Sequence, residues 1–328
     1  MRIESKKAKD VQLLNIEHYH GSEFKSLKVF KSDRYKAFES KTDFENYVIN
    51  QNVYGVEIET ECFGSMSNSN VYAEVLQKVI FSHFPDDLFR IERDGSLRSV
   101  TIQAECVSQV MTKSFIRNHY NDFKNMYDLY FDSFNISCSR SGNCGMHVNI
   151  SHSCFGSTKE IQMETIRKFA CIVNMYYDLF SKALMRKLEK RDYCCQMYYS
   201  RNNIDDTIEF FKNATVVCNN EYDDVLGNGS HGYCFNFSHP GRTELRLVGG
   251  QPNYYAFRNT MEVVFWLVEK ARKISWNQIK DKTNIFKGCN KYVYKRLSTE
   301  CQEYFTSEEL QTIKDNVNYK DDFDIIRG

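Results

Sequence analysis

Three glutamates at alternate positions, Glu57, Glu59 and Glu61, constrain this 328-residue chain more than any other feature. They lie in the run 53–61, whose alternating pattern predicts a β-strand. Side chains two residues apart on a strand share a face and lie about 7 Å apart. Carboxylates at that spacing repel one another unless a cation or an arginine lies between them. The strand is therefore either part of a site for Mg²⁺ or Mn²⁺, which prefer oxygen ligands, or the solvated acidic face of an edge strand.

The remaining periodic segments mix strands and helices without strict alternation. Strands are predicted at 53–61, 89–93, 101–107 and 144–151, with a hairpin formed by 232–237 and 243–248. Helices are predicted at 42–50, 71–84, 115–134, 158–190, 205–213 and 254–273, with a last helix beginning at a Ser307 cap. A capping box of Ser157 and Glu160 precedes the longest of them. This order predicts an α+β fold with a curved, mostly antiparallel sheet.

The overall composition narrows the class of protein. Lys and Arg together number 43, as do Asp and Glu, so the zero net charge predicts no nucleic-acid or anionic-membrane partner. No run approaches the length of a membrane-spanning helix, and the first 20 residues do not resemble a signal peptide. The 12 cysteines, two of them adjacent, are therefore expected to be reduced thiols in the cytoplasm. Three prolines among many Lys, Asn, Tyr and Phe are typical of an AT-rich genome, such as that of a phage or a low-GC bacterium.

The segment 243–248 places an acid and a base on one strand face. Glu244 and Arg246 are two residues apart, while Leu245 and Leu247 take the opposite face. An arginine in that position is suited to binding a phosphate or carboxylate through two parallel hydrogen bonds. A simple ion pair between the two side chains is the alternative, and the sequence leaves both open.

A further strand, 144–151, carries His147 and Asn149 on one face. Gly145 lets backbone or ligand approach closely. A hydrogen-bonded core histidine is the plain alternative to a functional one. A zinc site is a third interpretation, although the spacing of its candidate ligands matches no standard zinc finger. Those candidates are Cys138, Cys144, His147, His152 and Cys154.

Two more acids complete the set. Asp94 lies in the turn Arg-Asp-Gly-Ser and by itself is explained as a turn residue. Glu105 lies inside an otherwise apolar strand, where an acid is costly unless it has a partner.

In this order, the segments GVEIETE, RDGSL, ECVSQVM, CGMHVNIS and RTELRLVGG resemble the amidoligase family. That family belongs to the glutamine synthetase-like carboxylate–amine ligases, and the resemblance spans about residues 53–270. It implies a curved antiparallel sheet with helices on its outer face and with ATP and Mg²⁺, or Mn²⁺ in its place, on the concave face. The implied reaction phosphorylates a carboxylate with ATP, and an amine then displaces the phosphate to form an amide.

The resemblance also assigns metal ligands. It implies that Glu57 and Glu59 on the first strand, Glu105 on the second and Glu244 on a later strand hold the metal of ATP. Glu61 is either an extra ligand or a residue of the rim.

Further roles follow from the same resemblance. It implies that His147 lies near the phosphates and metal and that Arg246 holds the transferring phosphate or the substrate carboxylate. Asp94 corresponds to a position that orients substrate or amine, and Arg201 to a second phosphate-binding cation. Asn149 departs from the family, because many members carry a second histidine there.

The resemblance implies a catalytic domain at 46–275. The segment 1–45 is charged and lacks clear periodicity, so an arm or small subdomain is expected there, and the polar segment 276–328 is expected to be a partly helical extension. The expected partners are a carboxylate substrate, either small or peptidic, and an amine co-substrate. A phosphotransferase of the guanidino kinase type and a non-catalytic nucleotide- or peptide-binding module remain open as alternatives.

Overall fold

A computed structural model describes most of the chain. The described residues are 27–32, 34–62, 84, 88–92, 103–134, 136–137, 144–187, 194–197, 203–214, 232–239 and 241–319. The predicted helix at 71–84 lies almost wholly outside them, as do Asp94 and Arg201.

The strands are β1 Leu27–Lys31, β2 Arg34–Phe38, β3 Val53–Cys62, β4 Phe89–Glu92, β5 Gln103–Ser108, β6 Val110–Thr112, β7 Ile136–Ser137, β8 Met146–Ser151, β9 Phe235–Asn236 and β10 Arg242–Leu245. The α-helices are α1 Lys41–Val48, α2 Lys113–Asn118, α3 Tyr120–Phe134, α4 Lys159–Met175, α5 Tyr177–Ala183, α6 Ile204–Asn213, α7 Tyr254–Lys273, α8 Lys282–Phe286, α9 Lys291–Glu300 and α10 Ser307–Asp315. Short 3₁₀ helices cover His152–Cys154, Trp276–Lys280 and Gln302–Tyr304.

The chain divides into two compact units. The first unit consists of Met1–Val48, Tyr54–Val148 and Gly249–Phe257. The second unit consists of Ile49–Val53, Asn149–Val248 and Arg258–Gly328.

The first unit is built on a sheet whose path runs β2-β1-β6-β3 and on to the first residues of β8. β3 also pairs with β5 and β7, and β5 pairs with β4. The pairs β1–β2, β3–β5, β3–β7 and β4–β5 are antiparallel, and β1–β6 is parallel. The predicted mostly antiparallel sheet in a mixed α and β fold is therefore confirmed.

The register of the paired strands in the first unit gives the sheet one apolar face and one acidic face. Ile58 lies opposite Cys106, and Cys106 lies opposite Ile91, on the face that enters the core. Glu59 lies opposite Glu105 on the other face, because successive side chains of a strand alternate. The alternation of apolar and acidic residues in the sequence of β3 therefore corresponds to the two faces of the folded sheet.

Helix α3 covers the apolar face. Phe123 of α3 contacts Phe89 of β4 edge to face, and its ring stacks on Phe257 with centroids 4.6 Å apart. Phe84 joins the same aromatic cluster at 4.8 Å from Phe123. Burial of these rings therefore fixes the helix to the side of the sheet that carries no acids.

The predicted helix at 115–134 is instead two helices, α2 and α3. His119 leaves the helical conformation, and its Nδ1 lies 2.9 Å from the carbonyl oxygen of Phe115. Its ring stacks on Phe115 with centroids 3.9 Å apart. Helical spacing of apolar residues continues across such a break, so the sequence pattern does not reveal it.

The longest predicted helix, 158–190, is interrupted in the same way in the second unit. Tyr176 separates α4 from α5, and Met185, with φ at +66°, follows the end of α5. The Tyr176 hydroxyl lies 2.9 Å and 2.7 Å from the carbonyl oxygens of Ile279 and Lys280. That side-chain anchor is a long-range contact, which local periodicity cannot predict.

The predicted hairpin in the second unit is present but shorter. β9 and β10 pair antiparallel over two residue pairs, with Glu244 opposite Asn236. β10 in turn neighbours the residues of β8 that belong to this unit. The chain extends past Leu245 without strand pairing, so Arg246 lies just beyond β10.

The N-caps of α4 and α10 each lie one residue before the position predicted from the sequence or one residue after it. The N-cap of α4 is Thr158 rather than Ser157, and the N-cap of α10 is Thr306 rather than Ser307. Adjacent hydroxyl residues make either position plausible from sequence, and the backbone decides between them. The helix predicted at 254–273 coincides with α7.

Two findings concern membrane-spanning segments and the state of the cysteines. Within the described residues, no helix combines the length and apolar character needed to cross a membrane. The cysteines whose side chains the structure describes are free, and all of them except Cys195 are buried. Burial raises the pKa of Cys171 to about 12, so this thiol stays protonated.

We expect Thr306→Ala to lower the free energy of unfolding by about 1 kcal/mol, because the Thr306 side chain accepts the N–H of Glu309 and Glu309 accepts that of Thr306. Ser307→Ala is the matched control, with an expected change within about 0.5 kcal/mol. Urea unfolding measures both. A larger loss for Ser307→Ala would contradict the assigned cap.

Candidate metal centre

Two buried carboxylates face each other across β3 and β5. Glu59 and Glu105 are register partners and are 7% and 2% exposed. Like charges directly opposed on a strand pair destabilise a sheet, and burial adds the cost of removing each carboxylate from water. Positive charge at this point of the sheet, from a proton, a neighbouring side chain or a cation, reduces that cost.

Glu57 and His147 complete an acidic cluster, defined as Glu57, Glu59, Glu105 and His147. The Nδ1 atom of His147 lies 3.2 Å from a Glu57 oxygen, and its Nε2 atom lies 3.7 Å from a Glu59 oxygen. The second Glu59 oxygen accepts the backbone N–H of Gly145. The histidine ring is thus held between the two glutamates of β3.

Three members of the acidic cluster present donor atoms to one point. One donor atom each from Glu57, Glu105 and His147 lies within 4.8 Å of the other two. Ligands about 2.1 Å from a six-coordinate cation are at most about 4.2 Å apart, so small side-chain movements complete a coordination sphere. The two carboxylates fit Mg²⁺ or Mn²⁺, and the imidazole favours Mn²⁺ of the two. Three protein ligands leave positions for water or phosphate oxygens.

The described residues thus bring together four of the predicted site residues. Glu59, predicted as a metal ligand, accepts the Gly145 N–H with one oxygen, and its other oxygen lies 3.7 Å from Nε2 of His147. Glu61 follows on the same strand, opposite Gln103 and Ser137. The roles of these residues stay predictions.

Arg90 is a further candidate residue of the site, and it was not among the residues predicted from the sequence. It lies opposite Val107, and Val107 lies opposite Glu57, so all three project from the acidic face of the sheet. Arg90 is partly exposed, and alternation places its neighbour Phe89 in the core. The signal was available in the sequence, because Phe-Arg-Ile alternates as β3 does, but the strand pairing was needed to align it with Glu57.

Glu244 and Arg246, in the second unit, form a cluster of their own. A Glu244 oxygen lies 2.5 Å from Nη1 of Arg246, and the other accepts a hydrogen bond of 3.0 Å from Asn236. His239 Nε2 lies 3.6 Å from the same carboxylate. Both oxygens of Glu244 are thereby engaged, which favours the ion-pair interpretation of this strand over metal ligation.

The main chain of Arg246 is also held firmly. Its N–H donates to the carbonyl oxygen of Cys234 at 2.9 Å, and its own carbonyl oxygen lies 3.0 Å from Sγ of Cys194. Nη2 of Arg186 lies 2.5 Å from the same sulfur. These contacts hold the backbone of Arg246 from both sides, so the guanidinium starts from a defined position.

Asn149 and His152 are buried in the second unit. Burial lowers the pKa of His152, and a hydrogen bond with the backbone of Arg242 opposes that effect. Within the described part of the chain, the group able to hold a metal is Glu57, Glu105 and His147. It contains none of the cysteines of the zinc interpretation, and Cys138 lies outside the described residues.

Comparison with known proteins finds only weak similarity to solved structures. No family model and no curated protein matches the sequence. One similar structure is the complex between the prokaryotic ubiquitin-like protein Pup and its ligase PafA, at 12% identity and a TM-score of 0.32 over 81% of this chain and 62% of that chain. Another is a bifunctional glutathione synthetase from Pasteurella multocida, at 10% identity and a TM-score of 0.35 over 85% of this chain and 48% of that chain. This chain spans less than two thirds of either, and at these TM-scores neither match defines its fold or its activity.

We expect Glu105→Gln to remove stabilisation by Mn²⁺ while leaving the metal-free protein at least as stable as the native one. The substitution removes one of two opposed carboxylates, which relieves their repulsion. At a Mn²⁺ concentration about 100 times the dissociation constant, the native protein should gain about 2.7 kcal/mol, and the variant far less. Thermal unfolding with and without Mn²⁺ measures both effects.

Glu39→Gln is the matched control, since Glu39 is an exposed acid of the first unit. Its response to Mn²⁺ should equal that of the native protein. A native protein that Mn²⁺ fails to stabilise, together with a less stable metal-free variant, would rule out the cation site.

A second prediction concerns the ion pair of the second unit. In a double-mutant cycle of Glu244→Gln and Arg246→Met, we expect a coupling energy of about 2 kcal/mol, because the pair is buried and in contact. Urea unfolding of the two single variants and the double variant, without metal, measures it. Additivity within about 0.5 kcal/mol would mean that Glu244 does not hold Arg246.

Proposed function

We propose that this chain is a divalent-cation-dependent ligase that uses ATP to join a carboxylate to an amine. The observation that carries the proposal is the buried opposition of Glu59 and Glu105, with Glu57 and His147 beside them. An enzyme that handles the phosphates of ATP requires cations more than a protein nucleophile. A group of buried carboxylates whose mutual repulsion a cation would relieve meets that requirement.

The proposed reaction class comes from the resemblance of the five ordered segments to the amidoligase family. The same resemblance supports the proposal of a glutamine synthetase-like fold. The two weakly similar structures are named as a ligase and a synthetase. Those names agree with the proposal without carrying it. The substrate is accordingly proposed only as a class, a small or peptidic carboxylate together with an amine.

Each described side chain has a proposed role. Glu57, Glu105 and His147 hold the cation, and Glu59 orients the imidazole of His147 while Gly145 fixes Glu59. The bound cation neutralises phosphate oxygens. Replacement of any one ligand should therefore weaken both cation affinity and turnover.

Arg246 is proposed to bind a substrate anion. Glu244 fixes its guanidinium through Nη1. A guanidinium has five N–H donors in a planar fork, which suits it to binding a phosphate or carboxylate as well. The role of Glu244 is then to position Arg246 rather than to bind metal. Asp94 and Arg201 keep their proposed roles in binding amine and phosphate.

The test uses hydroxylamine as a general amine. The protein is incubated with ATP, Mn²⁺ and a pool of amino acids and peptides, and ADP and hydroxamate are measured together. A ligase forms hydroxamate and ADP in equal amounts, because hydroxylamine displaces phosphate from an activated carboxylate. We expect Glu105→Gln to reduce both products by about 100-fold or more, and Glu39→Gln to leave them unchanged.

Other outcomes separate the alternatives. ADP without hydroxamate, together with a phosphorylated guanidine or other acceptor, would mean a phosphotransferase. Binding of ATP with Mn²⁺ but no ADP from any pool would mean a binding module. Either result would refute the ligase proposal while leaving the cation site intact.

A further inference from the structure

The second unit contains a cavity of about 780 Å³, whose lining includes Tyr176, Tyr177, Asp178 and Tyr304. We call it the tyrosine pocket. Pockets for small ligands in proteins range from about 300 to 1,000 Å³, so this cavity is large enough for a molecule bigger than a single amino acid. None of the residues so far assigned to the metal centre lines it.

The tyrosines offer ring surface to this space. The hydroxyl of Tyr177 donates to the carbonyl oxygen of Cys194 at 2.6 Å. The hydroxyl of Tyr176 lies within hydrogen-bond distance of the carbonyls of Ile279 and Lys280. Burial raises the pKa of Tyr177 to about 12, so this hydroxyl stays a donor. With their hydroxyls bound elsewhere, the two rings are fixed as apolar walls.

The charges of the lining do not balance. Lys282 is neutralised by Glu309, whose carboxylate lies 3.2 Å from its Nζ, and it also lies over the ring of Phe305. Asp178 is exposed, and it makes no hydrogen bond or ion pair with another described residue. The pocket therefore carries one negative charge that a ligand can neutralise.

The remaining polar groups are acceptors or neutral donors. Nε2 of Gln196 donates to the carbonyl oxygen of Asn174 at 3.0 Å, which leaves the Gln196 carbonyl oxygen to accept a hydrogen bond. Burial and then the charge of Asp178 raise the pKa of Tyr304, so its hydroxyl stays neutral. An acid, a carbonyl oxygen and aromatic rings together are the groups that bind an ammonium ion.

We propose that the tyrosine pocket binds a small primary amine with an aromatic or other apolar body. The ammonium group pairs with Asp178 and donates to Gln196, and the apolar body lies against the rings of Tyr176, Tyr177 and Tyr304. The proposal concerns binding alone and does not rest on the ligase activity.

The test compares phenethylamine with 2-phenylethanol, which has the same ring but no charge. Calorimetry at low salt should show the amine binding at least about tenfold more tightly. Asp178→Asn should weaken the amine at least tenfold and leave the alcohol unchanged. Asp206→Asn, at an exposed acid outside the lining, is the control and should change neither.

Cys195 gives an independent readout, because it lines the pocket and is partly exposed. Phenethylamine should slow alkylation of Cys195 by iodoacetamide, measured by mass spectrometry of the peptide that contains it. Asp178→Asn should abolish that protection and Asp206→Asn should preserve it. No binding of phenethylamine at about 10 mM, or equal affinity in native protein and Asp178→Asn, would overturn the proposal.

Discussion

The electrostatic conflict between Glu59 and Glu105 is the constraint on which this account of the first unit depends. A strand pair that buries two opposed carboxylates gives up stability that apolar residues at the same positions would provide. The opposite face of the same strands buries Ile58, Cys106 and Phe89, and the Phe89 ring contacts those of Phe84 and Phe123. The conflict is thus confined to one face, where Glu57 and His147 add further ligands. The divalent cation proposed for this site would resolve it, and the proposed ATP chemistry would use that cation.

The second unit shows the opposite electrostatic arrangement. There the acid and the base neutralise each other, since Glu244 binds Arg246 directly and Asn236 satisfies the remaining carboxylate oxygen. Such a pair contributes little net stability when buried, but it fixes the direction of a guanidinium. Hydrogen bonds to Cys234 and from Cys194 hold the backbone of the same residue. These contacts restrict Arg246, which would lower the conformational entropy cost of binding the anion proposed for it.

Much of this arrangement was predictable from local pattern. Alternation at 53–61 predicted β3 and the common face of Glu57 and Glu59, and helical spacing predicted α7 to the residue. Two helix breaks were not predicted. At Tyr176 the hydroxyl binds carbonyl oxygens far along the chain, whereas at His119 the ring lies beside the carbonyl oxygen of Phe115 in the preceding turn. The spacing of apolar residues reveals neither contact. The alignment of Arg90 with Glu57 likewise depends on the register of three strands, which no single segment specifies.

The central claim, that the acidic cluster is a cation site, is tested most directly by crystallography at the manganese absorption edge. Crystals soaked in Mn²⁺ should show an anomalous peak about 2.1–2.2 Å from oxygens of Glu57 and Glu105, with His147 beside it. Crystals of Glu105→Gln soaked in the same way should lack that peak. Ordered side chains at Glu57, Glu59 and Glu105 with no anomalous peak between them would contradict the account, because the carboxylates would then be reconciled by protons rather than by a metal.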